Sequence, residues 1–360
     1  MENKHLTYFK VENFKRFDSL EVNDIGQFNL IVGDNNVGKT SLLEALLFDE
    51  KNYNQFLSNL YSALGINRKV FLKAIPGVDS FNYADVFNFV ELYFKKKGTP
   101  ISIDYSYNTG DKENILLETF AKSELSIEQL DAMGNKNFIH QTSNYLIKIK
   151  SKNQESFLYT TFFKEPNTYK GYYPLTPFGL SYQDDLLEFF SEISQKTTDY
   201  NIIVKELARF VPDIKSIEIN NAVIKNNSTL IIRENNAEEV MPISFYGDGL
   251  NKFFRYILEL FKCDGNRLMI DEIDTGLHYS KMKENFKSLF RLALDNNVQI
   301  FATTHSKECL QYYKEALEDL GYQDKGRIIR LVEHKNKEVK AYTYIYEQFE
   351  HSIDYDNEIR

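Results

Sequence analysis

The run Gly33-Asp34-Asn35-Asn36-Val37-Gly38-Lys39-Thr40 sets two glycines around four residues and follows them with a lysine and a hydroxyl. Phosphate chemistry needs that spacing. Glycines let the backbone turn its N–H groups inward around phosphate oxygens, Lys39 can reach the β- and γ-phosphates, and Thr40 can hold Mg²⁺. Gly33, Asn35, Asn36, Gly38, Lys39, Thr40 and Ser41 are the expected nucleotide-binding set, with Thr40 also a metal ligand.

A second chemical group lies far along the chain. Arg267-Leu268-Met269-Ile270 can form a buried strand, and it ends in Asp271 and Glu272. The pair suits a metal-dependent hydrolysis, with Asp271 on Mg²⁺ directly or through water and Glu272 polarising the attacking water. Val298 to Thr304 reads as another buried strand, ending at His305. Ligands bind at the carboxyl ends of strands in open α/β sheets, so His305 is placed to sense a γ-phosphate. Gly247-Asp248-Gly249 precedes a helical run and reads either as a second phosphate-binding helix start or as a common turn. Lys15 and Arg16 sit in a turn between two strands. They could lean on the nucleotide or its phosphates, or simply face solvent.

The elements that must position these groups follow from patterning. Leu6 to Val11 and Ser19 to Val22 alternate as strands, and Phe28-Asn29-Leu30-Ile31-Val32 is a short apolar strand feeding the glycine loop. Ser41 to Phe48 is built of good helix formers. Asn52 to Lys97 looks helical and aromatic, with Lys95-Lys96-Lys97 expected at a helix C-terminus complementing its dipole. Ile101–Tyr107, Asn114–Phe120, Tyr145–Lys150 and Ser156–Phe163 read as an antiparallel meander. Pro166 to Pro177 reads as a loop, Asp184–Gln195 and Ile202–Phe210 as amphipathic helices, and Ile214–Ile219 with Leu230–Arg233 as a strand pair. A helix over Leu250–Phe261 and closing strands over Ile328–Val332 and Val339–Tyr346 complete the pattern.

The chain has 360 residues, 42% hydrophobic and 26% charged, enough for one large composite domain. Its formal net charge of −9 does not point to nucleic acid or anionic lipid, so DNA stays open as a partner without support from charge. Cys263 and Cys309 show neither zinc spacing nor a disulfide framework and suit a reducing compartment. Met1 to His5 leads into a polar strand and not into an apolar leader, and no apolar run is long enough to span a bilayer. The expectation is a soluble, cytoplasmic protein with no membrane partner.

Taken in order, these motifs resemble an ABC-type ATPase, and more narrowly the AAA-family ATPases of the OLD-like clade, kin to SMC-type ATPases. The resemblance is carried by Glu12 to Phe17, the loop Gly33 to Thr40, the signature-like Gly247-Asp248-Gly249, Leu268 to Glu272, the D-loop-like Asp274 to His278, Thr303-Thr304-His305-Ser306 and the tail Ile353 to Arg360. It implies an α/β fold: a P-loop NTPase with an ABC/SMC-like head, an antiparallel β-subdomain and a helical signature lobe. The expected division is an N-terminal lobe over 1–175, a helical lobe over 176–262 and a C-terminal lobe over 263–360. It further implies ATP and Mg²⁺ as cofactors, Glu272 as base, His305 as switch histidine, and a head-to-tail dimer or higher oligomer around two ATP molecules. In that scheme Gly247, Asp248 and Gly249 of one head cap the nucleotide of the other. The sequence departs from the pattern in lacking Ser-Gly-Gly at the signature, where Ser244 or Tyr246 stands for the serine, and Gln141 is the candidate Q-loop glutamine. No Asn-Lys-x-Asp motif appears, which favours ATP over GTP. No heptad run long enough for a coiled-coil arm is present, and the TOPRIM nuclease domain of true OLD proteins is not represented. Stand-alone relatives resemble ATPase subunits of antiphage systems such as PARIS and Septu. The resemblance therefore implies an ATPase that controls a separately encoded nuclease or toxin, with a DNA-maintenance ATPase as the alternative. An ABC transporter subunit fits less well, given the altered signature and the inserted meander.

Overall fold

The computed structural model describes residues 4–47, 93–121, 145–151, 155–159, 175–176, 185–220, 228–235, 237–263 and 266–354. Strands β1 (Leu6–Phe14), β2 (Phe17–Val22) and β3 (Phe28–Gly33) lead to helix α1 (Lys39–Ala45). Strands β4 (Ile101–Tyr107), β5 (Lys112–Ala121), β6 (Tyr145–Ser151), β7 (Glu155–Tyr159) and β8 (Leu175–Thr176) follow. Next come α2 (Asp185–Ile193), α3 (Thr197–Leu207), β9 (Ile214–Asn220), β10 (Thr229–Glu234), β11 (Met241–Pro242) and α4 (Gly247–Lys262). The last stretch holds β12 (Arg267–Ile270), α5 (Tyr279–Asp295), β13 (Gln299–Thr303), α6 (Lys307–Leu320), β14 (Gly326–Glu333), β15 (Val339–Tyr344) and α7 (Tyr346–Asp354).

The chain forms two compact units. The first comprises Met1–Ile25, Gly33–Leu175 and Ile329–Thr343; the second comprises Gly26–Val32, Thr176–Ile328 and Tyr344–Arg360.

The first unit is built on an antiparallel sheet of order β2-β1-β4-β5-β6-β7, as the alternating segments predict. Val11 pairs with Leu20 on one side and with Ile103 on the other, and Ile103 pairs with Ile115. Every second residue of β4 (Ile101, Ile103, Tyr105, Tyr107) is buried, which fixes the register, since a slip of one residue would turn this row to water. At the far end of β1, Asn13 and Lys15 adopt left-handed backbone with φ of 56° and 47°. The Asn13 amide donates to the carbonyls of Lys96 (3.0 Å) and Thr99 (2.6 Å), and its Oδ1 accepts from the Lys96 N–H at 2.6 Å. Lys95-Lys96-Lys97 forms a bend beside β1 and not a helix terminus, and Lys95 and Lys96 ion-pair with Asp18. The aromatic stretch at 52–92, Gln141 and the tail 355–360 lie outside the described residues.

The second unit is organised by three parallel strands. Phe28 to Ile31 of β3 pair with Ile300 to Thr303 of β13, and Leu268 to Ile270 of β12 pair with Ile300 to Ala302. All residues of β3, β12 and β13 are buried, as parallel strands covered on both faces require. Phe28 stacks on Phe290 of α5 with ring centroids 4.2 Å apart, and the Tyr313 hydroxyl of α6 donates to the Phe28 carbonyl at 2.8 Å. Helix α4 is buried over Phe253 to Leu260 and carries a polar stripe at one-turn spacing, Asn251, Arg255 and Glu259. The buried Arg255 guanidinium bonds Glu259 at 3.2 Å, and the Thr176 hydroxyl donates to the same carboxylate. A separate antiparallel sheet of order β11-β10-β9 precedes α4.

Candidate nucleotide-binding and hydrolysis site

The buried strand β3 runs directly into Gly33, whose φ is +144°. A Cβ there would lie 2.5 Å from the Leu331 carbonyl oxygen. Gly38 has φ +114°, and its Cβ would lie 2.8 Å from the Phe17 ring. Only glycine meets both demands at each place, a left-handed backbone and no side chain. Between them Asp34, Asn35 and Asn36 are exposed, and Asn36 is also left-handed at φ 62°. The Lys39 ammonium, 6% exposed as a residue, donates to the carbonyls of Gly33 (2.6 Å) and Asp34 (2.9 Å) and so spans its own loop. Thr40 is exposed and Ser41 half-buried, and no side chain caps the start of α1 at Gly38. A loop framed by two left-handed glycines, an ammonium bridging its carbonyls and an exposed hydroxyl next in the chain fit a polyphosphate and its metal.

The two basic residues of the β1–β2 turn are directed at carboxylates. Lys15 pairs with Glu44, a buried acid on α1, and lies over the Tyr93 ring at 4.6 Å from its centroid. Arg16 pairs with Glu333 at the end of β14. Lys15 thus ties the turn to the helix that follows the glycine loop.

In the second unit the acidic pair sits at the carboxyl end of β12. The Thr303 hydroxyl, at the end of β13, donates to Asp271 Oδ1 at 2.7 Å and accepts from the Glu272 N–H at 2.8 Å. Glu272 has φ +50°, a conformation uncommon for a residue with a side chain. Its carboxylate accepts from the Thr275 hydroxyl at 3.1 Å and lies 3.9 Å from His305 Nε2. Both Glu272 and His305 keep more than a third of their side-chain surface, 34% and 40%, open to water. Asp271 is held from behind as well, since its N–H donates to the Thr176 carbonyl at 2.9 Å. Thr304 repeats the device one residue on, donating to Asp274 at 2.6 Å. The structure thus brings His305 to Glu272, which stands beside Asp271 and lies more than thirty positions away in the sequence.

The signature-like residues do not form a loop ahead of a helix. They are the first turn of α4, which begins at Gly247 and not at Leu250. The reason is packing: a Cβ on Gly249 would lie 2.9 Å from the Gly276 carbonyl, so glycine is needed inside the helix for close approach to the Asp274–His278 turn. Gly247 has open space around it, Asp248 is exposed, and the Tyr246 hydroxyl donates to Glu234 at 2.7 Å. Burial and that carboxylate push the Tyr246 phenol up to about 12. Lys252, one turn on, is 4% exposed and donates to the Thr275 carbonyl at 2.9 Å. Burial holds its ammonium below the usual lysine range, against the upward pull of Asp248, Glu272 and Asp274.

Sequence reasoning did not assign roles to Thr303, Thr275, Lys252 or Glu44. Each carried a signal: a hydroxyl closing the apolar run Ile300-Phe301-Ala302, a hydroxyl three residues after Glu272, a lysine inside a buried helix, and an acid within Leu42-Leu43-Glu44-Ala45.

The family described as "AAA domain, putative AbiEii toxin, Type IV TA system" matches residues 28–310, most of the chain. The chain belongs to this AAA-domain family. A relative from Helicobacter pylori (strain ATCC 700392 / 26695) called "ATP/GTP phosphatase" is 23% identical over 96% of this chain and 97% of its own length. The Smc head domain with an extended coiled coil from Pyrococcus furiosus, solved bound to the C-terminal domain of ScpA, is 10% identical over 99% of this chain and 100% of its own. Its TM-score of 0.51 marks a shared fold. The fold of this AAA chain is that of an ABC/SMC-like P-loop ATPase head, and its activity is ATP hydrolysis. Among the described residues, no helix is long and apolar enough to cross a membrane.

Proposed function

We propose that this AAA ATPase is an OLD-like regulator that binds Mg-ATP, hydrolyses it between paired heads and thereby controls a separately encoded effector, a nuclease or toxin, in prokaryotic antiphage defence. The observation that carries the catalytic part is the placement of Glu272 between Thr275 and His305, next to Asp271 at the end of a core strand. Lys39 exchanges its carbonyl partners in the loop for phosphate oxygens. The backbone from Gly33 to Gly38, with Asn35 and Asn36, wraps the phosphates, and Ser41 follows on the helix. Thr40 on the glycine loop and Asp271 after β12 would be the metal's ligands, and the metal would neutralise charge on the phosphate oxygens. Glu272 takes the proton of the attacking water, and His305 contacts the γ-phosphate side of that reaction. Gly247, Asp248 and Gly249 face the nucleotide of a second head, and the protein works in the cytoplasm.

A link to a toxin system is supported by the family's own description, which names a putative toxin and a Type IV TA system. The experiment is co-purification with the product of the neighbouring gene, with and without ATP, followed by phage plating on cells carrying Lys39→Ala. The expected result is nucleotide-dependent association and lost protection. No associated partner, together with full protection by the variant, overturns the regulator reading; DNA-stimulated turnover would then favour DNA maintenance.

A further inference from the structure

We infer that Thr303 is a positioning residue for hydrolysis, holding both carboxylate residues of the site through one hydroxyl; this rests on Glu272 being the base. Thr303 is fully buried at the end of β13, a place where an apolar β-branched residue of the same shape would satisfy the core. A buried hydroxyl is disfavoured unless it is hydrogen-bonded, and this one uses its donor and an acceptor in different directions. The proton goes to Asp271 Oδ1 at 2.7 Å, and a lone pair receives the Glu272 N–H at 2.8 Å. The Thr303 carbonyl also receives the Ile273 N–H at 3.0 Å. Three consecutive residues after β12 are therefore fastened to one residue of β13.

The fastening matters because of what Glu272 does there. Its left-handed backbone, φ +50°, turns the chain sharply after the strand. That turn leaves its carboxylate with Thr275 at 3.1 Å and His305 at 3.9 Å. Without the Thr303 hydroxyl, the Glu272 N–H loses the partner that stabilises this backbone, and Asp271 loses the donor that fixes the direction of one oxygen. The Thr303 hydroxyl is spent on Asp271 and on the Glu272 N–H, so its removal should leave nucleotide affinity in place and slow the chemical step.

The contrast is between Thr303→Val, which keeps shape and removes the hydroxyl, and Thr303→Ser, which keeps the hydroxyl. Each is measured for binding of a non-hydrolysable ATP analogue, for kcat and KM of phosphate release, and for melting temperature, beside Glu272→Gln. Thr303→Val should lower kcat about 10–100-fold with analogue affinity within about threefold of wild type, and Thr303→Ser should recover most of the loss. Wild-type kcat in Thr303→Val beside an inactive Glu272→Gln overturns the positioning role alone. Equal losses in the Val and Ser variants, or loss of binding in step with kcat, also overturn it, since packing then explains the effect. Normal turnover in Glu272→Gln overturns the base assignment instead.

Discussion

Removing the Lys15 ammonium distinguishes two uses of a lysine near a phosphate loop. Lys15 bonds Glu44, whose side chain is 6% exposed, and its own side chain is 24% exposed. Hydrogen bonds to charged groups contribute about 1.5–3 kcal/mol, and the partial exposure of Lys15 puts this one toward the lower end. Its position over the Tyr93 ring adds about 0.5–1 kcal/mol. Lys15→Met, which keeps the aliphatic stem, should therefore cost about 2–3 kcal/mol in unfolding free energy. Glu44→Gln should cost a similar amount, and the double variant should cost clearly less than the sum, with a coupling of about 1–2 kcal/mol. The assay is urea unfolding of the four proteins without nucleotide, followed by calorimetric titration with an ATP analogue. Additive losses would refute the pairing. An unchanged midpoint in Lys15→Met joined to a tenfold or greater loss of ATP affinity would show that Lys15 serves the phosphates and not Glu44.

Other outcomes follow from the same geometry. Gly33→Ala should abolish nucleotide binding or folding, because its Cβ meets the Leu331 carbonyl at 2.5 Å in a left-handed backbone; a normal circular-dichroism melt with normal ATP titration would contradict it. Lys39→Ala should weaken ATP binding at least tenfold, the loss of a charge-assisted contact of about 1.5–3 kcal/mol, as read by calorimetry. Tyr246 has a phenol raised to about 12 by burial and then by Glu234, so its contribution to stability is complete below the unfolded value of 10.0 and is lost as pH rises through about 12. Tyr246→Phe should flatten that part of the stability profile in alkaline unfolding. Cys309 is fully buried with its thiol pushed up by burial, so it should resist alkylation in the native protein and react only after unfolding, as mass spectrometry would show.

Much of this was legible because it is local. The glycine loop needs its residues at fixed spacing, so Gly33, Gly38, Lys39 and Thr40 announce it within eight positions. Alternation set the meander, and the short apolar runs Leu30-Ile31-Val32, Leu268-Met269-Ile270 and Ile300-Phe301-Ala302 set β3, β12 and β13, since burial on one face or two leaves different periods. What stayed hidden depends on partners distant in sequence. Thr303 lies thirty-two positions from the Asp271 that it bonds, and nothing near it states that its hydroxyl faces a carboxylate. The charged bend at Lys95–Lys97 misled because three lysines suit a helix end, while the deciding contacts came from Asn13 and Asp18 on other strands. The start of α4 misled in the opposite way. Glycine is a poor helix former, yet Gly249 sits inside the first turn because the Gly276 carbonyl leaves no space for a side chain.

The central claim is that hydrolysis depends on Glu272 at the end of β12 while nucleotide binding does not. Single-turnover phosphate release by Glu272→Gln, measured beside its equilibrium affinity for ATP, tests it most directly. The account predicts affinity within a few-fold of wild type and a release rate lower by about 10²–10⁴. Phosphate release at the wild-type rate from a protein that still binds ATP would contradict it.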